Sequence, residues 1–145
     1  MPTAKISLTV TQFADINTTI NTPRWTKAAA PVITDDAGGK VRISASDPNR
    51  IVARGSARID LEFRILPAGQ FFPAGIAYKQ VAGASDKNGK SNFELGALAA
   101  STITIVNKMT NSGSGDSAPR WEFFILIQDQ NGALGIIDPE IENES

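Results

Sequence analysis

Arg120-Trp121-Glu122-Phe123-Phe124-Ile125-Leu126-Ile127-Gln128-Asp129-Gln130-Asn131-Gly132-Ala133-Leu134-Gly135-Ile136-Ile137-Asp138-Pro139-Glu140-Ile141-Glu142-Asn143 reads as one β-hairpin followed by an acidic final strand. Trp121, Phe123, Ile125 and Ile127 share one face of an extended segment. Gln128 to Gly132 supply turn chemistry around Asn131-Gly132, and Ala133 to Ile137 return. The hairpin fixes a sheet and its register without pointing to a reaction.

The same period-two rhythm runs outward from this stretch. Ile6, Leu8 and Val10 alternate with polar neighbours, as do Val41, Ile43 and Ala45 after the turn-forming run from Asp35 to Gly39. Between Arg58 and Ile65 the pattern is cleanest: Ile59, Leu61, Phe63 and Ile65 face one way, Arg58, Asp60, Glu62 and Arg64 the other. Such a strand has one dry and one wet side, as in an antiparallel sheet resting on a core. Further strands are expected at 51–54, 72–81, 102–107, 121–128, 134–137 and 140–143. Pro and Gly clusters at 47–49, 67–69, 82–89 and 111–119 punctuate them. The pattern predicts an all-β chain, an antiparallel β-sandwich of two packed sheets with about eight or nine strands and at most one short helix. That helix is placed near Phe93 to Ala100, where Ser91 and Glu94 have capping-box spacing and Gly96 weakens the middle. The Ser- and Gly-rich run from Asn111 to Ala118 reads as the most mobile segment and as a hairpin connection.

With 145 residues, residues 1–145 suit a single domain that buries roughly 70% of its unfolded surface. The charges, 14 basic and 15 acidic, leave a net of -1, so no basic footprint for nucleic acid exists. Nothing approaches the ~18 consecutive apolar residues of a membrane span. The first residues alternate instead of forming the continuous apolar core of a signal peptide. Cysteine is absent, which removes disulfides, thiolate catalysis and Cys-based zinc sites and fits a cytoplasmic address.

Without His or Cys, no catalytic residue is nominated and the chain does not read as an enzyme. Gly89-Lys90-Ser91 looks like the end of a phosphate loop, but the position that needs the first glycine holds Ala84, with Gly83 one step too early. Placing Gly89 at the invariant glycine of a calcium loop puts Ala84 first and Leu95 last, where Asp and a bidentate Glu are required. Placing Gly132 there puts Ile127 first. No cofactor is implied. Asp138, Glu140, Glu142 and Glu144 recur every second residue and project from one face ~7 Å apart. Asp138, Glu140 and Glu142 are therefore the candidate metal ligands, against the plainer alternative of an acidic edge strand that repels other molecules. Pro23-Arg24-Trp25 and Pro119-Arg120-Trp121 echo one another. They mark either two strand starts with aromatic plugs or a pair of aromatic contacts for a sugar or protein partner. Trp25, Tyr78 and Trp121 are the candidate stacking residues.

The segment from Asp129 to Ile141 resembles the ending of a small bacterial family of uncharacterised proteins called DP-EP. It resembles more distantly the close of the PixA/AidA inclusion-body proteins, where an Asp-Asn-Gly-type hairpin precedes a terminal Asp-Pro and an apolar strand. Asp138-Pro139 matches the signature pair, while Glu140 is followed by Ile141 where a later Glu-Pro would stand. The resemblance implies a β-sandwich with no established activity and, for the PixA/AidA branch, intracellular accumulation as inclusions. Physically, Pro139 lacks an amide hydrogen and biases Asp138 towards an extended conformation, so the pair is expected to re-aim the chain. The sum is a non-enzymatic structural or interaction protein expected to form a homo-oligomer through a sheet edge. A carbohydrate-binding module and a metal-assisted hydrolase on the terminal carboxylates are the rivals.

Overall fold

The computed structural model describes residues 2–17, 25–84 and 91–145. Twelve strands are described: β1 (Thr3–Gln12), β2 (Lys27–Ala28), β3 (Val32–Asp35), β4 (Val41–Ile43), β5 (Arg50–Arg54), β6 (Ile59–Leu66), β7 (Phe71–Ala82), β8 (Phe93–Leu98), β9 (Thr102–Asn107), β10 (Arg120–Asp129), β11 (Leu134–Ile137) and β12 (Glu140–Glu144). They form two six-stranded sheets. The first runs β2-β1-β6-β9-β8, with β3 also on β1. The second runs β11-β10-β12-β5-β4, with β7 also on β10. Their inner faces share one apolar cluster, a sandwich-like arrangement in which Ile59, Leu61, Phe63 and Ile65 of β6 face Phe123, Ile125 and Ile127 of β10, all fully buried.

Four expectations are corrected. Among the described residues the strands number twelve, more than the eight or nine expected, because β2 and β3 are short, exposed edge pieces with little patterning. The sheets are mixed: β1 lies parallel to β6, and β12 lies parallel to β5. Both parallel neighbours are brought together by chain crossings between the sheets, which local alternation does not encode. The expected helix from Phe93 to Ala100 is strand β8, paired with β9 through Phe93 opposite Asn107 and Leu95 opposite Ile105. Phe93 is buried and the rest of the strand exposed. Helix-forming residues thus give way to ladder bonds and one aromatic anchor, since propensity is a weak prior against tertiary context.

That anchor joins the layers. The Phe93 ring stands edge-on to Trp121 (4.8 Å) and Phe123 (4.6 Å), and Tyr78 stacks on Phe123 at 5.3 Å. Such aromatic pairs add to the burial of their area.

The run from Asn111 to Ala118 is not a hairpin connection. It carries the chain from β9 in one sheet to β10 in the other and is tied down along its length. Gly113 N donates to Asn143 O (3.2 Å), Ser145 N donates to Gly113 O (2.9 Å), and residues 115–117 form a 3-10 turn. Beneath it lies a buried asparagine network. Asn92 Nδ2 donates to Asn107 Oδ1 (2.8 Å), Asn107 Nδ2 to Asn143 Oδ1 (2.7 Å), and Asn143 Nδ2 to Asn107 Oδ1 (3.1 Å) and Asn111 O (3.0 Å). Asn92 Oδ1 accepts the amides of Thr110 and Asn111. Buried amides must be satisfied internally, and here they satisfy one another and the connecting backbone.

Candidate functional site

β10 and the chain after it build one side of the site. The turn closes as expected: Asp129 Oδ1 accepts the amides of Asn131 and Ala133, both at 2.9 Å, and Gly132 adopts φ 83°. β11 then pairs with Ile137 opposite Ile125, and β12 continues in unchanged register with Glu140 opposite Glu122. Asp138-Pro139 therefore lies in line along β10 and does not re-aim the chain to a new neighbour there. Phe123 N donates to Pro139 O at 2.9 Å, and proline has no amide hydrogen with which to return the bond. What changes at this pair is the other edge, where β12 takes up β5. Asn49 secures the change, donating from Nδ2 to Asp138 O (3.0 Å) while its own carbonyl accepts Glu140 N (3.0 Å).

The other side comes from the first sheet. Thr11 Oγ1 donates to Lys27 O (3.1 Å), and the buried Thr26 hydroxyl exchanges bonds with the backbone of Ala14. Thr26 presses on Gly135, where a Cβ would stand 2.5 Å from Thr26 Oγ1, so only glycine allows this approach. Trp25 reaches past that contact and stacks on Phe124 with ring centroids 5.8 Å apart, the indole remaining 49% exposed. Between Trp25, Thr11 and Lys27 on one wall and Asn49, Ile137 and Asp138 on the other lies a cleft of ≈470 Å³. Partial burial in it pushes the Asp138 carboxyl above its ordinary value, opposed by a bond from its own backbone amide.

The proposed stacking residues separate. Trp121 is an inward core residue, 4% exposed. Tyr78 is half-buried among Phe93 and Phe123, its hydroxyl bonded to Phe93 O (3.1 Å) and to Ser91 Oγ. Only Trp25 presents a ring surface. Of the echoed tripeptides, Pro23-Arg24 lies outside the described residues, as does Gly89-Lys90 of the loop weighed for phosphate.

The proposed metal ligands separate as well. β12 is an inner strand between β10 and β5, not the acidic edge considered from sequence. Arg50 Nε meets Glu140 Oε1 at 2.8 Å, its NH1 lies 3.7 Å from Glu142, and Arg42 meets Glu144 at 2.6 Å. Asp138 lines the Trp25 cleft, whereas Glu142 lines another with Arg42 and Arg50. Among the described residues no three acidic side chains are grouped to hold a metal ion. Arg50 is the half-buried hub of this face, so Arg50→Ala is expected to lower unfolding free energy by about 1–3 kcal/mol, leaving Glu142 without its Arg50 partner and Glu140 with only Arg120 at 3.9 Å. Urea denaturation measures it, and an unchanged midpoint contradicts it.

No family model matches the chain, and no curated protein matches it. Among solved structures, the inclusion body protein PixA from Burkholderia cenocepacia J2315 is similar over 98% of this chain and 95% of that one, with 9% identity and a TM-score of 0.44.

Proposed function

We propose that the chain is a non-enzymatic, cytoplasmic structural or interaction protein that pairs with a second copy of itself along β7. One observation carries this. β7 is twelve residues long, bonded to β10 along its length, and has no strand on its other edge among the described residues. The other outer strands are half as long or shorter. Natural edges are blunted by charge, proline or brevity, and β7 carries only Lys79 and Pro73 against pairing. An antiparallel two-fold pairing of β7 with its copy would supply the missing ladder bonds. Kinship with the DP-EP proteins, and more distantly with the PixA/AidA proteins, belongs to this proposal and rests on residues 129–141.

Light scattering on the purified protein is expected to give a dimer or larger species. Ala77→Lys combined with Val81→Lys, both exposed on β7, is expected to give a monomer with an unchanged thermal midpoint. A monodisperse wild-type monomer at high concentration overturns the proposal. The metal-assisted hydrolase has less support, because Glu140 and Glu142 face Arg50 and not a shared vacancy.

A further inference from the structure

We propose that the cleft between Trp25 and Asp138 is a binding site for a neutral saccharide, a function separate from pairing along β7. The first argument is the indole. Apolar surface is normally buried, yet Trp25 is held with its ring half exposed by a stack on Phe124, which gives it a fixed backing. A flat, rigid aromatic surface beside polar groups suits a ligand with one face of C–H bonds and a rim of hydroxyls.

The second argument is the rim. Asp138 offers a carboxylate that only accepts, and Lys27 an ammonium that only donates. Neither forms an ion pair with another described residue, although most charged side chains around β12 do. Asn49, which also lines the cleft, commits its amide nitrogen to Asp138 O. One positive and one negative group in the same cleft oppose a simple anion and a simple cation alike. Hydroxyl groups, which donate and accept, match both.

The third argument is construction. The walls come from both sheets and are fixed by the Thr26–Ala14 bonds, the close approach at Gly135 and the Asn49 clamp. Preorganised polar groups lose little on binding, and ≈470 Å³ lies within the range of small-ligand sites.

The test is a glycan array probed with labelled protein, followed by titration of each hit against tryptophan fluorescence. Binding to at least one neutral glycan is expected, weakened roughly tenfold or more by Trp25→Ala and about fivefold by Asp138→Asn. Trp25→Phe should retain part of the signal, and circular dichroism should show every variant folded. The Ala77→Lys, Val81→Lys variant should bind as wild type, which separates this site from self-association. No glycan bound, glycan binding indifferent to both Trp25→Ala and Asp138→Asn, or a fluorescence response to choline without one to any saccharide would each overturn the proposal.

Discussion

Asn143→Asp is expected to lower the unfolding free energy by about 3–5 kcal/mol at neutral pH, a large part of what a domain this size possesses. The substitution exchanges one NH₂ for one oxygen, so shape is preserved and chemistry alone acts. Asn143 is fully buried, and its Nδ2 gives protons to Asn107 Oδ1 and Asn111 O. A carboxylate oxygen in that place faces two acceptors with nothing to donate, in surroundings that disfavour charge. The folded-state pKa of the introduced acid is therefore raised above its unfolded value. The cost is complete above the folded pKa and declines as pH falls through it towards the unfolded pKa, because the protonated acid regains one donor and loses its charge. Denaturant titrations across the acid range should show the variant recovering relative to wild type as pH drops. Asn131→Asp, in the exposed hairpin turn, should change stability by less than about 0.5 kcal/mol. An Asn143→Asp protein as stable as wild type at neutral pH would mean that the network does not hold the β9–β10 connection.

The contrast between these asparagines shows how far the sequence could be read. Asn131 sits beside a glycine between two apolar runs and announces its turn. Asn107 and Asn143 occupy inward positions, following Ile103 and Ile105 on β9 and Ile141 on β12. A polar residue on the dry side of an alternating strand is itself a signal, and its partners lie up to 36 residues away. Strands β6, β10 and β11 were legible because alternation is local and each has one face on the core. Which strand lies beside which was not, since the β1–β6 and β5–β12 pairs depend on crossings between layers. The acidic residues of β12 alternate with its inward residues, but whether β12 is an edge or an inner strand depends on its pairing with β5, some 90 residues earlier. For the candidate site, Trp121 shares inward parity with Phe123, so its burial could be read. The half-exposed stack of Trp25 on Phe124 joins residues 99 positions apart, which no local pattern reveals.

Phe93→Ala is expected to cost about 3–5 kcal/mol, whereas Leu95→Ala two residues later should cost less than about 0.5 kcal/mol. Both residues belong to the run that reads as an amphipathic helix. A helix from 93 to 100 would set Phe93 and Leu95 about 200° apart and group Leu95 with Leu98 on one stripe, so Leu95 and Leu98 would be the pair sharing burial. As a strand paired with β9, the segment buries Phe93 and leaves Leu95 47% and Leu98 49% exposed. The Phe93 ring touches Tyr78, Trp121 and Phe123 of the opposite sheet, so its loss opens a cavity at the contact between layers and removes the edge-on partner of Trp121. Near-ultraviolet circular dichroism, which reports the packing of Trp121, should therefore change in Phe93→Ala and stay unaltered in Leu95→Ala. Chemical denaturation of the two variants gives the energies. Comparable losses at Phe93 and Leu95 would contradict the packing of β8, in which Phe93 is buried between the layers and Leu95 stands 47% exposed.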